Sequence, residues 1–337
     1  MTAPKPATSA TSATSATWHF DPQRDAVLSQ WGAPLDQRLQ QAWPALQLRA
    51  LAPGRPEALP DPARVLLARP FSAAQRALPA PPGWPFGLRF VQLISVGLDA
   101  YPRWLLATPG VAVSTAHGSS SQTIADFVLA QVLRVALRLD ERRVQAAAQW
   151  RFTEAPALAG ARLGIVGFGG IGQALATKAL ALGLQVSALR RSDAPLGLPG
   201  VQRAHSLPQL LAESDHLVLA APGTADTRHL INADALALAK PGLHLVNVAR
   251  GSLVDQDALR AALDSGRVGW ASLDVSEPEP LPEGHWLYGH PRVWLTPHTC
   301  AISPQVQDTL AQQLVQALQA LQRGQPAPHP VNLDRGY

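Results

Sequence analysis

The 337-residue chain contains a single cysteine, Cys300, which excludes an intramolecular disulfide and fits a reducing compartment. It has no apolar run long enough to span a bilayer. Its N-terminus lacks the apolar segment of a signal peptide. These absences predict a cytoplasmic protein without a membrane partner.

Charge is also scarce, since charged residues make up 15% of the chain. The net charge of +4 is a small excess of 28 basic over 24 acidic residues. The arginines are scattered, and no Lys/Arg-rich run is interleaved with aromatic residues, so we expect no nucleic-acid partner. A hydrophobic content of 47% is typical of a core-forming globular protein, and the length suits two domains.

The N-terminal half begins with a repeat of Ala, Ser and Thr within residues 1–17, which predicts a disordered tail. Beyond it, short apolar runs alternate with helical patterns, which predicts a small parallel-sheet domain over residues 18–117. The runs expected to form strands are 64–68, 90–94 and 111–114, and the expected helices are 35–43 and 100–106.

The rest of the chain repeats the alternation of strand and helix. A long helical pattern over 122–148, broken near Leu139, leads into about six expected parallel strands, as in a doubly wound nucleotide domain. The last amphipathic pattern, 304–321, can pack back on the first domain. The expected strands are 163–166, 186–189, 216–220, 243–248, 269–275 and 293–296, and the expected helices are 171–182, 207–213, 233–238 and 256–265.

A glycine-rich turn follows the first of these strands and opens a helix. Gly167 can take the tight turn, Gly169 leaves room for a pyrophosphate, and Gly172 lets the helix lie close to the strand. The helix N-terminus offers free N–H groups and a partial positive charge to phosphates. In its required context of strand, turn and helix, this G-x-G-x-x-G pattern predicts a dinucleotide site.

The residues after the second strand bear on the choice between NAD and NADP. Arg190, Arg191 and Ser192 stand close to the ~20-residue spacing at which an NAD enzyme carries an acid. Guanidinium groups suit a 2′-phosphate, so we expect NADP(H) to be preferred over NAD(H). Two alternatives stay open: the arginines are merely solvated, or Asp193 contacts a ribose if the strand runs longer.

Two later strands end in candidate catalytic residues. Arg250 follows an apolar strand and therefore lies at the carboxyl edge of the sheet, where it can hold a substrate carboxylate or, alternatively, pair with Asp255. His298 also follows an apolar strand, in the segment Thr296-Pro297-His298. Hydrogen bonding to a carboxylate would raise its pKa and make it a proton donor to a carbonyl.

The ordered set of GxGxxG, Ala249-Arg250-Gly251, Asp274-Val275 with Glu279-Pro280, and Thr296-Pro297-His298 resembles the D-isomer-specific 2-hydroxyacid dehydrogenase family, in its hydroxypyruvate/glyoxylate reductase-like branch. The resemblance runs from about Ile94 to the last helix. It implies an α/β fold: a doubly wound parallel-sheet (Rossmann) nucleotide domain over 118–302 and a smaller flavodoxin-like substrate domain over 18–117 and 303–337.

The resemblance also implies roles for single residues. Arg250 would bind the carboxylate and 2-oxo group of the substrate, His298 would be the acid/base, and Glu279 its carboxylate partner. The backbone N–H groups of Val96 and Gly97 would hold the substrate carboxylate. The remaining positions would contact the cofactor, with Asp274 accepting from the nicotinamide amide: Gly167, Gly169, Gly170, Ile171, Gly172, Arg190, Arg191, Ser192, Ala221, Pro222, Ala249, Asp274 and Ala301. No metal site is expected.

Three departures from the family pattern are visible. Ser276 replaces the usual aromatic residue after Asp274-Val275, and Asp126 replaces a glutamate in the long helix. Thr299-Cys300-Ala301 replaces the usual glycine after the histidine, which puts the local geometry beside the nicotinamide in question.

The function that follows is NADPH-preferring reduction of a short 2-oxo acid, of the glyoxylate or hydroxypyruvate type, to a D-2-hydroxy acid. The resemblance further implies a homodimer with 122–148 as an interdomain and dimer arm. Two other functions stay open: NAD-dependent dehydrogenation of a larger or phosphorylated substrate, and nucleotide sensing by a corepressor-like binding protein.

Overall fold

The structure, a computed structural model, describes residues 18–152 and 154–333, so the tail predicted over 1–17 lies outside the described residues. The described chain divides into two compact units. The first contains residues 18–116 and 307–333, and the second contains residues 117–152 and 154–306. Each unit is built around a parallel sheet of its own.

The first unit contains a five-stranded parallel sheet in the order β2-β1-β3-β4-β5, which is the flavodoxin-like order. Its buried core joins strand residues such as Leu66 and Val91 to Leu105 of a flanking helix. The strands are β1 (Ala26–Ser29), β2 (Leu48–Ala50), β3 (Ala63–Ala68), β4 (Phe90–Leu93) and β5 (Ala112–Ser114), and the helices are α1 (Ala33–Ala42), α2 (Ala73–Arg76) and α3 (Arg103–Leu106).

Two of these strands, the four-residue α2 and the start of α3 differ from the sequence prediction. The short β1 and the half-exposed, three-residue β2 were not expected, because neither shows a long apolar run. The helix expected over 100–106 begins only at Arg103, since Pro102 precedes it and the residue before a proline avoids helical backbone angles.

The second unit contains a seven-stranded parallel sheet in the order β12-β11-β10-β9-β6-β7-β8. The strands are β6 (Arg162–Val166), β7 (Gln185–Leu189), β8 (Val201–Arg203), β9 (His216–Leu219), β10 (Leu243–Asn247), β11 (Val268–Leu273) and β12 (Val293–Leu295). The helices are α4 (Ser121–Ala136), α5 (Leu139–Arg142), α6 (Gly170–Ala181), α7 (Leu207–Glu213), α8 (Ala233–Ala237), α9 (Gln256–Asp264), α10 (Trp286–Gly289) and α11 (Pro304–Gln322), the last continuing into the first unit. The expectation of about six strands missed the short β8.

The order of the second sheet confirms the doubly wound fold. The chain runs outward from β6 through β7 to β8, then returns to β9 on the other side of β6. This reversal opens a crevice at the carboxyl ends of β6 and β9, where open α/β folds bind their ligands. The glycine turn after β6 therefore lies at the switch point of the sheet.

The helical pattern expected over 122–148 is broken near Leu139, as predicted, and its first part forms the long helix α4. This helix ends at Ala136, because Arg138 takes a left-handed backbone conformation (φ 51°) that a right-handed helix cannot continue through. The four-residue α5 and a 3₁₀ turn at Ala147–Gln149 follow. The buried face of α4 packs against the sheet and α6, where Ile124, Val128 and Val132 share a core with Leu175.

The other helix predictions hold to within a residue or two. Asp255 caps α9, since its carboxylate accepts from the N–H groups of Asp257 and Ala258. Among the residues that the structure describes, no helix combines the length and the apolar content needed to cross a membrane.

Candidate active site

The glycine turn between β6 and α6 is shaped for close backbone packing. Gly167 has φ 96°, and a Cβ there would lie 2.6 Å from the backbone of Ala220. A Cβ on Gly172 would lie 2.5 Å from the carbonyl oxygen of Gly167. A Cβ on Gly169, in contrast, would meet no atom within 4 Å, so open space adjoins the first turn of α6. The turn therefore fits the pyrophosphate of a dinucleotide.

The segment after β7 carries the cationic residues predicted to select the cofactor. The strand ends at Leu189 and does not extend toward Asp193. Arg190 Nη1 donates to the carbonyl of Pro195 at 3.5 Å, and Arg191 is exposed. Arg203 of β8 donates to the backbone carbonyls of Ser192 and Ala194, at 3.2 Å for Ser192. Sequence reasoning missed Arg203 because the strand that carries it was not predicted.

Arg250 lies directly beyond β10, at the carboxyl edge of the sheet. Asn247 shapes this turn: its amide donates to the Arg250 carbonyl at 2.9 Å, and its side-chain oxygen accepts from the Ala249 N–H at 3.0 Å. Two glycines near Arg250 allow close packing, one against its side chain and one against the backbone of Ser276. A Cβ on Gly223 would lie 2.9 Å from Arg250 Cγ, and one on Gly251 would lie 2.0 Å from the Ser276 carbonyl carbon.

His298 and Glu279 form an ion pair, as the resemblance implies. His298 Nδ1 lies 2.8 Å from Glu279 Oε2, and the other carboxylate oxygen of Glu279 accepts from the Ser276 N–H at 2.9 Å. Ser276 Oγ in turn donates to the Pro278 carbonyl at 3.0 Å. The backbone N–H of Ser276 thus helps to orient the carboxylate that holds the histidine, and its hydroxyl adds a contact to the Pro278 carbonyl.

The pair favours its charged state. The hydrogen bond to Glu279 raises the pKa of His298, while partial burial and the positive charge of Arg250 act against it. Partial burial works against the Glu279 carboxylate, but hydrogen bonds from His298 and Ser276 outweigh it and lower its pKa. A protonated imidazole held by a carboxylate can donate a proton to a carbonyl oxygen at neutral pH.

Asp274 lies beside this pair and is 1% exposed. Its carboxylate accepts from the Thr296 hydroxyl at 2.6 Å, the Thr299 N–H at 3.0 Å and the Cys300 N–H at 3.1 Å. Burial raises the pKa of the Cys300 thiol, which disfavours a reactive thiolate. Sequence reasoning assigned Asp274 only to the nicotinamide amide and missed its contacts to the histidine loop.

A cavity of about 590 Å³ adjoins the pair in the second unit. One part of its wall is polar and includes Asp274, Glu279 and His298. The other part is mainly apolar and includes Leu281 and Leu287. The acid pair therefore borders a space large enough for a small molecule.

In the first unit, the turn after β4 contains Val96 and Gly97. Ser95 Oγ donates to the Gly97 carbonyl at 3.3 Å and lies 3.0 Å from the hydroxyl of Tyr101. Tyr101 is buried, and this burial raises the pKa of its hydroxyl to about 12. The buried phenol and Ser95 thus fix the shape of the turn whose amides are predicted to bind a carboxylate.

The remaining predicted cofactor positions follow the carboxyl ends of strands in the second unit. Ala221 and Pro222 come after β9, Ala249 after β10, and Ala301 after β12. Of the predicted site residues, the structure brings both Asp274 and Glu279 into contact with His298.

Comparisons with known proteins agree with this geometry. The family model described as "D-isomer specific 2-hydroxyacid dehydrogenase, NAD binding domain" matches residues 129–300. Glyoxylate/hydroxypyruvate reductase A of Serratia proteamaculans is 32% identical over 91% of this chain and 96% of its own length. (S)-sulfolactate dehydrogenase of Chromohalobacter salexigens is 38% identical over 64% of this chain and 72% of its own.

A crystal structure of a D-isomer specific 2-hydroxyacid dehydrogenase from Xanthobacter autotrophicus, in complex with NADPH and MES, has a TM-score of 0.78 to this chain. It is 33% identical, and the match covers 93% of this chain and 99% of the other. With the glycine turn, Arg250 and the Glu279–His298 pair in place, the chain belongs to the D-isomer specific 2-hydroxyacid dehydrogenase family and is an NAD(P)-dependent oxidoreductase acting on CH–OH groups.

Proposed function

We propose that this protein is an NADPH-preferring reductase that converts short 2-oxo acids, of the glyoxylate or hydroxypyruvate type, to D-2-hydroxy acids. The observation that carries the proposal is the ion pair of His298 and Glu279, which holds a proton beside Arg250 in a dinucleotide-binding fold. The names of relatives such as glyoxylate/hydroxypyruvate reductase A support the substrate class.

The residues have distinct roles in the proposed reaction. Arg250 binds the substrate carboxylate and polarises the 2-oxo group, because a guanidinium forms paired, charge-assisted hydrogen bonds with such oxygens. The N–H groups of Val96 and Gly97 are proposed as further carboxylate donors. His298 supplies the proton to the carbonyl oxygen, and Glu279 keeps that proton on the imidazole until it is needed.

A nicotinamide cofactor, when bound, supplies the hydride for the 2-carbon of the substrate. Gly167, Gly169 and Gly172 would cradle its pyrophosphate, since they leave open space at the first turn of α6. Pro222, Ala249 and the other predicted positions would line the rest of its site. The protein's own contribution is to orient the reactants and to supply charge where it is needed.

The preference for NADPH is proposed from the residues after β7. Arg190 and Arg191 place two positive charges just beyond the strand, and Arg203 secures the backbone of the segment that follows. Such a cluster favours a 2′-phosphate over a ribose hydroxyl. The NADPH bound in the Xanthobacter relative supports the same choice.

A panel of 2-oxo acids, each measured with NADPH and with NADH, tests the proposal. We expect consumption of NADPH with glyoxylate or hydroxypyruvate, and a loss of about 100-fold or more in His298→Ala. Arg190→Asp should shift the preference toward NADH. No turnover with any 2-oxo acid would contradict the proposed reductase and favour the corepressor-like binding protein. Unchanged cofactor preference in Arg190→Asp would contradict the cofactor assignment alone.

A second substrate class is favoured by one comparison. The relative named (S)-sulfolactate dehydrogenase indicates that a 2-hydroxy acid with a second anionic group is compatible with a similar sequence. The same panel should therefore include 2-oxo acids with a distal sulfonate, phosphonate or phosphate. A kcat/KM highest for one of these, with NADH as the better cofactor, would identify the protein as a dehydrogenase of larger substrates.

A further inference from the structure

His298 has a backbone conformation that is unusual for its residue type. Its φ is 54°, in the left-handed region that favours glycine. A non-glycine residue held there is strained and persists only when its surroundings enforce the conformation. The loop around His298 must therefore be held by specific contacts.

Asp274, at the carboxyl end of β11, supplies those contacts. Its backbone carbonyl accepts from the His298 N–H at 2.8 Å. Its carboxylate accepts from Thr296 on one side of the histidine and from Thr299 and Cys300 on the other. Asp274 itself is anchored, because its N–H donates to the Asn247 carbonyl at 3.0 Å. One buried residue thus binds the loop before, at and after His298.

Within this set, Thr296 makes the shortest contact, at 2.6 Å between its hydroxyl and Asp274 Oδ1. A hydroxyl donating to a carboxylate is a charge-assisted hydrogen bond, stronger than a bond between neutral groups. Thr296 also extends the backbone hydrogen bonding between β11 and β12, since its N–H donates to the Leu273 carbonyl at 2.9 Å. The loop therefore leaves the sheet with its first residue fixed at two points.

We propose that Thr296 is a positioning residue: by hydrogen bonding to Asp274, it fixes the left-handed backbone of His298 and so the alignment of the imidazole with Glu279. The inference rests on the proposed role of His298 as the proton donor. It gives Asp274 a task besides the predicted acceptance from the nicotinamide amide. The hydroxyl of Thr296 acts through the loop and does not itself touch the substrate.

The test compares Thr296→Val, which keeps the shape of the side chain but removes the donor, with Thr296→Ser, which keeps the donor. We expect kcat to fall about tenfold or more in Thr296→Val, since a small misplacement of a catalytic group is that costly. The pKa of His298, followed by NMR titration of the cofactor-free protein, should fall toward its ordinary value as the bond to Glu279 weakens. Thr296→Ser should restore both quantities.

Thr177→Val serves as the matched control, because Thr177 is an exposed threonine of α6 whose hydroxyl donates to a carbonyl of its own helix. Wild-type kcat and an unchanged His298 pKa in Thr296→Val would overturn the proposal. Equal impairment in Thr296→Ser would also overturn it, because the methyl group rather than the hydroxyl would then matter. If the wild type reduces no 2-oxo acid, the proposed function fails, and the titration still decides the role of Thr296.

Discussion

Glu279 controls the proton on His298 through one hydrogen bond of 2.8 Å. Glu279 is itself held by the Ser276 N–H, so its carboxylate has one oxygen for orientation and one for the histidine. The charge of Arg250 lowers the pKa of both members of the pair. The arginine that would bind the substrate therefore also tunes the acid that would protonate it.

Replacing Glu279 with Gln should move the pH dependence of reduction to lower pH. His298 must carry a proton to act as the acid, and its raised pKa keeps it protonated across neutral pH. Without the carboxylate the pKa falls, so the alkaline limb of the kcat/KM profile should shift downward by about one pH unit. Activity should be nearly retained at acidic pH and fall about tenfold at alkaline pH. An unshifted limb would show that Glu279 does not set this pKa.

The residues that sequence motifs can name are those whose side chains carry the chemistry. Arg250, Glu279 and His298 were each identified from motif order, and the structure places Glu279 and His298 in contact. The contacts of Ser276 and Thr296 were not foreseen. Ser276 acts through a backbone N–H, which every residue but proline has, and Thr296 acts on a partner 22 positions away in the chain.

The turn between β6 and α6 depends on how closely that helix approaches its strand. Gly172→Ala should destabilise the protein by about 1–3 kcal/mol, because the new Cβ would lie 2.5 Å from the Gly167 carbonyl oxygen. Gly289→Ala is the matched control, since a Cβ there meets no atom within 4 Å. Urea unfolding of both variants measures the difference. Equal midpoints for the two variants would contradict the packing argument.

A row of buried, hydrogen-bonded side chains connects α4 to the sheet. Which atom donates in each of its hydrogen bonds can be worked out from the atoms that can only accept. Gln131 Oε1 only accepts, so the Ser272 hydroxyl donates to it at 3.1 Å. Ser272 Oγ then accepts from His244 Nε2, 2.9 Å away. His244 Nδ1 must in turn accept from His216 Nδ1, at 3.0 Å. This arrangement requires a neutral His244, and burial lowers the pKa of both histidines, so both are neutral in the folded protein at neutral pH.

The two buried histidines make the stability of the protein depend on pH. Burial lowers the pKa of His216 to about 4 and that of His244 well below 6.5. Between pH 6.5 and 4 the unfolded chain binds protons that the folded protein does not, so stability falls as the pH falls. One such group contributes a slope of about 1.4 kcal/mol per pH unit. Urea unfolding of wild type and His216→Asn across this range should give a shallower slope for the variant. Exposed His205→Asn, as the control, should keep the wild-type slope.

Strands and helices were predictable where an apolar run or a clear cap marked them, as in β6, β10 and α9. The three-residue strands β2 and β8 were missed because half-exposed segments of that length have no distinctive pattern. β8 lies at the edge of its sheet, next to β7. The break after α4 was predicted near Leu139, but the helical pattern was expected to continue to 148, where the structure has the four-residue α5 and a 3₁₀ turn.

The assembly of the whole molecule is predicted from the segment that follows α4. Trp150 and Phe152 are 79% and 104% exposed, and Leu139 and Val144 nearby are also exposed. Exposed apolar side chains grouped in one segment indicate a protein interface. Together with the family resemblance, they support a homodimer that buries this segment.

Light scattering at micromolar concentration should therefore give about twice the 35.8 kDa mass of the chain. The double variant Trp150→Ser/Phe152→Ser should shift the mass toward the monomer, because it removes apolar area from the proposed interface. Leu238→Ser changes an exposed leucine elsewhere in the second unit and should leave the mass unchanged. A monomeric wild type would contradict the predicted dimer.

The way Asp274 holds the histidine loop has a consequence for how such a sequence can diverge. On the far side of His298 it recognises the amide protons of Thr299 and Cys300, which any residue except proline provides. The exposed side chain of Thr299 can therefore be exchanged while the loop keeps its path, whereas Cys300 is buried in the core and tolerates only side chains of similar size. In a combinatorial library over positions 299 and 300, most replacements at 299 should fold and reduce substrate, large side chains should be depleted at 300, and proline should be depleted at both. The loop that carries the proposed acid thus tolerates sequence change at its exposed position, and it does not tolerate changes that disturb its backbone or the core.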